Sequence, residues 1–337
     1  MVRHIEATSD ALARIRYGTD SEPCPAAMGV AARIPIRHLP PGPSEEVWPA
    51  SGWVERVAIE DAQAAADGRF LFVALEAVAG SDNAIEPRAF ELYQRLLRGV
   101  ERAGYPHVVR IWNYVPRIHG RVSAVDRYML FCKGRSEAFA DHYGDGFAAR
   151  LCAASAVGCP GETLVMHALA SREAVRHVEN PRQLSAYRYP ERYGPKSPSF
   201  ARGTVVLGGL GGRLFVSGTA SIVGHESTFP GDPVGQTAET LRNIAAVLDA
   251  AGVPGPGDSL GSRLESLRVY LRFPAQLEAI REAIATSTES PVATAWLQAE
   301  ICREELLVEI EATAQIPGES WRSGDPDLRE RPVPRKD

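Results

Sequence analysis

A chain of 337 residues, 45% hydrophobic and 23% charged, has the make-up of a globular protein with room for one large domain or two of ordinary size. Its net charge of -5 leaves no basic footprint, so nucleic acid is not an expected partner and any anionic ligand must be met by locally placed arginines. No apolar run reaches the roughly 20 residues of a membrane span, and the N-terminus lacks an apolar signal core; a cytoplasmic protein with no membrane partner is expected. The five cysteines, Cys24, Cys132, Cys152, Cys159 and Cys302, are odd in number and mostly far apart, which predicts free thiols and neither disulfides nor zinc.

In chain order, residues 1–50 carry Pro35, Pro40, Pro41 and Pro43 among polar residues and are expected to be an irregular N-terminal segment with room for a strand or two. Residues 54–59 and 69–78 read as strands. Phe90, Leu92, Leu96, Leu97 and Val100 fall on one stripe, which predicts a helix over 89–103 stopped by Gly104. A strand at 107–115 closes at Pro116, a polar connection follows at 117–126, and a helical pattern runs over 128–142. Strands at 150–157 and 163–170 flank a turn, Gly158-Cys159-Pro160-Gly161.

Residues 185–202 hold three prolines, three tyrosines and four cations, a composition that excludes a helix or a central strand. A connector of this length inside a compact protein is functional or disordered, and its aromatic content argues against disorder.

After the connector the pattern begins again. A Gly-turn hairpin at 205–217 ends in Gly218-Thr219-Ala220-Ser221. A helix over 234–251 stops at Gly252, a strand at 264–273 closes at Pro274, and a helix at 275–284 precedes strands at 293–301 and 306–314. The order strand–strand–helix–strand–helix–strand–strand occurs twice, so an internal duplication is expected. The expected divisions are an N-terminal half at 51–180, the connector at 181–203, a C-terminal half at 204–316 and a loop-like tail at 317–337. In the last strand Glu309 and Glu311 share one face, opposite Val308 and Ile310. The competing reading is a half-exposed strand with two solvated glutamates.

Each half resembles the RidA (YjgF) subunit, through Phe215-Val216-Ser217-Gly218 and Val308-Glu309-Ile310-Glu311-Ala312. The resemblance implies an α+β fold of two RidA/YjgF-like (chorismate mutase-like) mixed-sheet halves. That family carries an Arg-x-Cys element whose arginine binds a carboxylate; it stands here as Arg150-Leu151-Cys152, with Thr294 near the matching position of the second half. Two such halves, a Tyr187-Arg188-Tyr189-Pro190 connector and Gly218-Thr219-Ala220-Ser221-Ile222-Val223-Gly224-His225 look like the chorismatases, over about residues 50 to 315. Chorismatases remove pyruvate from chorismate.

The resemblance implies a small-molecule partner, chorismate, a dianion with an enol ether. Two carboxylates call for two cationic clamps, and protonating a methylene carbon calls for a positioned acid of raised pKa. The resemblance places that acid at Glu309. Arg150 and Arg202 are the candidate clamps, with Arg135 a weaker one; Tyr187 and Tyr193 are candidate hydrogen-bonding groups. The competing readings are a surface arginine at 202, connector packing by the tyrosines and a solvated helix residue at 135. Glu311 reads as an ion-pair partner, His225 as structural and Trp112 as core. Ala220 and Cys302 look like the positions that decide the product, and the cysteine is the form associated with 3-hydroxybenzoate. No metal or organic cofactor is called for. The expected reaction gives 3-hydroxybenzoate and pyruvate. A hydrolytic chorismatase giving a dihydrodiol, a non-catalytic RidA-like carboxylate binder and an imine hydrolase stay open, the last disfavoured by Thr294. A monomer with its pocket near the junction of the halves is expected.

Overall fold

The computed structural model describes residues 11–18, 29–80, 84–208, 211–255 and 259–317. Two large mixed sheets carry the duplication. In the N-terminal half the strands run Ala153–Cys159, His107–Pro116, Thr163–Ser171, Phe70–Val78, Gln63–Ala66 across the sheet, with the short Glu55–Arg56 at its edge. In the C-terminal half the corresponding order is Ala293–Gln298, Ser266–Leu271, Val308–Pro317, Gly211–Thr219, Gly203–Gly208. Within these five-strand blocks the first pair is parallel and the rest antiparallel, in both halves. Arg110 precedes Pro116 by six residues and Arg268 precedes Pro274 by six, so the two arginines are equivalent by position.

Each sheet covers one face with two helices. Helix α1 (Ile85–Arg102) buries Ile85, Ala89, Leu92, Leu96 and Val100 at helical spacing, and α2 (Arg127–Tyr143) begins where the Asp126 side chain accepts the Met129 N–H at 2.8 Å. In the second half, α3 (Pro233–Ala251) is capped by Asp232, begins with proline and ends at Gly252 with φ 74°, a left-handed conformation suited to glycine. α4 is Leu277–Thr288. The faces away from the helices pack against each other, and Phe72, Trp112, Tyr114, Phe215, Tyr270 and Leu297 belong to this central cluster. Among the described residues no helix is long and apolar enough to cross a membrane.

The described part of the first 50 residues is not irregular. Ala11–Tyr17, Val30–Ile34 and Glu45–Pro49 form a three-stranded sheet whose Leu12, Ile15 and Ile34 enter the central cluster. Arg37–His38 adds an edge to the C-terminal sheet. Pro35 and Pro40–Pro43 stand between these strands, where they punctuate the pairing and do not interrupt it. Other boundaries move as well. Gln63–Ala66 is a strand without the β-branched signature that would announce it, and 117–126 contains the ribbon Arg121–Val122 with Val125–Asp126. Val175–Val178 pairs with Gly203–Gly208 and so belongs to the C-terminal sheet, which moves the division from 180 to before 175. The connector is neither helix nor central strand; it makes two 3-10 turns, Ala186–Arg188 and Glu191–Tyr193. Cys24 and the tail from 318 onward lie outside the described residues.

Candidate active site

Strand Val308–Pro317 lies between two hydrogen-bonded neighbours in the middle of its sheet, which forces alternate side chains to opposite faces. Val308, Ile310 and Ala312 enter the helix-side core. Glu309 and Glu311 face the other half and are only 4% and 6% exposed, so neither is a solvated glutamate.

Their surroundings separate them. Glu311 accepts three hydrogen bonds, from Tyr270 Oη at 3.0 Å, Trp112 Nε1 at 2.9 Å and Arg268 Nη1 at 2.9 Å, and forms an ion pair with Arg110 Nη2 at 3.1 Å. Burial alone would raise its pKa, but Arg110 and Arg268, with Ser155 and Trp112, bring it below the usual range. Glu309 has a buried Oε1 with no hydrogen-bond partner. Burial, then the charge of Glu311, push its pKa up to about 8 against the pull of Arg110 and Arg202. One carboxylate is thereby held ionised and its neighbour protonated at neutral pH, the separation that acid catalysis needs.

A bulge makes room for the protonated group. The pairing of Val216 with Ala312 shifts to Thr219 with Ile310, one residue more on the hairpin strand. Gly218 sits in that bulge, where a Cβ would lie 2.0 Å from Glu309 Oε1, and its N–H donates to Ser155 Oγ at 3.0 Å. This gives the Phe-Val-Ser-Gly turn a steric reason.

Two buried guanidinium groups flank the aromatic ring of Phe200. Arg202 lies 5.1 Å from its centroid and Arg135 6.0 Å. Arg202 donates from Nη2 to the Leu184 carbonyl at 3.0 Å and to Tyr189 Oη at 2.8 Å. Arg135 donates to Cys132 Sγ at 3.5 Å and stacks on Phe131. Each keeps a buried Nε without a partner, and neither forms an ion pair with a described carboxylate. Burying a cation this way is costly unless an anion arrives. Glu179, half-buried with an unpartnered Oε2, feels the charge of Arg202; burial raises its own pKa. Among the described residues no three His, Cys, Asp or Glu side chains gather as a metal site requires.

The structure therefore brings Arg135 and Arg202 together and leaves Arg150 out. Gly144–Arg150 is a 3-10 helix and the strand begins at Ala153, so Arg150 ends up exposed, over the ring of Tyr143 at 5.8 Å. Its charge acts on His107 and His177, both lowered first by burial. Arg110 reaches the carboxylates instead. Its sequence signal is a lone arginine inside the mostly apolar run His107–Pro116. Tyr193 is spent on structure: its hydroxyl donates to the His225 carbonyl at 2.7 Å and its ring lies 4.1 Å under Arg303. Tyr187 is half-buried against the N-terminal core with Arg188 over its ring. Tyr189, between them, carries the hydroxyl that meets Arg202. Ala220 is buried just after the bulged strand, its carbonyl held by Asn243 Nδ2 at 3.1 Å. Cys302 packs against both the N-terminal and the central clusters. Burial and then Glu309 push its thiol up to about 12.

Residues 46–170 match the family model described as chorismatase FkbO/Hyg5-like, N-terminal. Over 280 residues, 80% of this chain and 81% of the relative, the sequence is 35% identical to a 3-hydroxybenzoate synthase of Streptomyces hygroscopicus. It is 38% identical over 225 residues, 65% of each protein, to a chorismatase of the same organism. A chorismatase crystal structure superposes with a TM-score of 0.81 at 31% identity, covering 93% of this chain and 95% of the other.

Proposed function

The chain belongs to the chorismatase family, and from that premise we propose that it converts chorismate to 3-hydroxybenzoate and pyruvate with Glu309 as general acid. The observation that carries the reading is a buried carboxyl with an unpartnered Oε1 and a raised pKa, under the charge of Arg202, which with Arg135 flanks Phe200 and lacks an ion-pair carboxylate.

Arg135 and Arg202 each meet one carboxylate of the dianion through charge-assisted hydrogen bonds. Glu309 gives its proton to the terminal methylene carbon, which makes the enol-ether carbon electrophilic. The new Glu309 carboxylate is stabilised by Arg110 and Arg202, the two cations that already act on it. With water kept out, the substrate's own ring hydroxyl adds to that carbon. Its C–O bond to the ring then breaks as a ring proton is lost, so the former hydroxyl oxygen leaves with pyruvate while the ether oxygen, taking up the hydroxyl's proton, stays on the ring as the phenol. Chorismate then equals the sum of both products, and the proton donated is matched by the one lost on aromatisation. Water must stay out. Cys302 and Ala220, small groups set against apolar clusters, serve that exclusion. Because one chain supplies both faces of the site, a monomer is sufficient for activity.

Incubation with chorismate tests this. Pyruvate is read with lactate dehydrogenase and the second product by mass and ultraviolet spectrum. An aromatic 3-hydroxybenzoate is expected. A 3,4-dihydroxycyclohexa-1,5-diene carboxylate would make the enzyme hydrolytic, and absence of pyruvate would make the chain a binding protein for small carboxylates.

A further inference from the structure

We propose that Glu46, on the N-terminal strand Glu45–Pro49, is a positioning residue for the acid: through Arg268 it holds Glu311 as an anion beside Glu309. The proposal rests on Glu309 being the acid and concerns what sets its charge.

Glu46 accepts from Arg268 at both carboxylate oxygens, Nε to Oε1 at 3.0 Å and Nη2 to Oε2, and the Tyr17 hydroxyl donates to the same carboxylate. A planar guanidinium gripped along one edge cannot rotate without breaking both bonds. The remaining nitrogen, Nη1, is thereby aimed at Glu311, which it reaches at 2.9 Å. Glu311 in turn pairs with Arg110 at 3.1 Å, and Arg110 keeps a buried Nη1 without a partner. Glu46, Arg268, Glu311 and Arg110 thus alternate in sign along one buried chain; their side chains are 21%, 8%, 8% and 1% exposed. The chain crosses three sheets, the N-terminal one, the C-terminal one and that of the N-terminal half. Its two anions match its two cations, so the chain adds no net charge beside Arg135 and Arg202.

The groups facing Glu309 are Glu311 on its own strand, Arg110 on His107–Pro116, Arg202 at the end of the connector and the Cys302 thiol in the turn before the strand. Those facing Glu311 are Arg110, Arg268, Tyr270 and Tyr114; those facing Glu46 are Arg268, Tyr17 and Tyr114. His167, also near Arg268, is held neutral by burial. Removing the Glu46 charge leaves Arg268 one counter-charge short and frees it to turn. Either effect weakens the negative field that, beside burial, keeps the proton on Glu309.

The test is direct titration. Full-length protein labelled with 13C at glutamate carboxyls is followed from about pH 5 to about pH 10, with the Glu309 signal assigned by its loss in Glu309→Gln. Glu46→Gln is expected to lower the Glu309 midpoint by about 0.5–1 pH unit. Glu46→Asp, which keeps the charge but withdraws it from Arg268, moves it the same way by less. The basic limb of kcat/KM moves with the midpoint. A strand that only supports the fold would change the melting temperature and leave the midpoint in place; that result overturns the proposal. Should Glu46→Gln fail to fold, Glu46→Asp decides by the same criterion. A parent Glu309 that titrates in the ordinary carboxylate range would instead remove the acid assignment, a different result from unequal or equal midpoints among variants.

Discussion

In the N-terminal half the closing strand Thr163–Ser171 turns Val165, His167 and Leu169 toward the other sheet, whereas in the C-terminal half Val308–Pro317 turns Glu309 and Glu311 there. Trp112 pairs with His167 and Tyr270 with Glu309, and each aromatic residue stands four before its proline, so His167 and Glu309 occupy equivalent places. Both side chains are deeply buried and each has a ring or carboxyl atom without a partner. Burial holds both uncharged, but the consequences are opposite. His167 is pushed down to about 3 and is a neutral base of little use at neutral pH; Glu309 is pushed up to about 8 and keeps a proton it can give away. The same desolvation keeps a base unprotonated in one half and an acid protonated in the other, and the sign of the charge it suppresses decides which.

The sharpest way to break this comparison is to take away the proton. Glu309→Gln is expected to slow pyruvate release by about 100- to 10,000-fold, measured in the coupled assay. It also affects stability. The folded pKa near 8 lies above the unfolded carboxylate value, so the parent loses stability as pH rises from the unfolded to the folded pKa. At pH 7 that loss is on the order of 3 kcal/mol. The variant should therefore melt higher than the parent at neutral pH, and this advantage should vanish near pH 4, where the carboxyl is protonated in both states.

Next come the two proposed clamps, Arg135 of the N-terminal half and Arg202 of the connector. Arg135→Met or Arg202→Met is expected to raise KM about 10- to 100-fold, the worth of one charge-assisted contact, with a smaller change in kcat. A clamp that mattered only for folding would leave KM alone. A third effect is smaller and comes from the medium. kcat/KM of the parent should be level below pH 8 and fall about tenfold per unit above it, as Glu309 in the free enzyme ionises. A flat profile to pH 10 would separate the acid from this residue. The smallest effect is expected at Arg150→Ala, whose side chain is exposed beside Tyr143: kinetic constants should stay within about twofold, as for surface substitutions generally.

The repeat was legible because both halves mark the same strand with a closing proline, Pro116 and Pro274, and alternate helix-period with strand-period stretches. The shared face of Glu309 and Glu311 was legible too, since alternation along a strand needs no tertiary information. Which way that face points was not. A glutamate pair reads the same toward water or toward a second sheet, and the second sheet is set by residues as distant as Trp112. Arg150 misled because the Arg-x-Cys spacing holds in sequence while Gly144–Arg150 winds into a 3-10 turn ahead of the strand. Arg110, Arg268 and Glu46 escaped for a related reason. Their partners are separated from them by up to 222 positions in the chain, and no local pattern announces such pairs. Pro35 and its neighbours suggested disorder of pattern where they mark strand ends.

Gly218 has a consequence for the handedness of the product. With only hydrogen where a methyl group would otherwise stand, the Glu309 carboxyl lies close against the bulge on that side, so in the proposed reaction the ligand meets it from the other. The hydrogen must then arrive on one face of the methylene each time. Chorismate carrying deuterium at a single methylene position, turned over in tritiated water, should yield pyruvate whose methyl group is chiral and of one configuration, as delivery from a fixed wall requires.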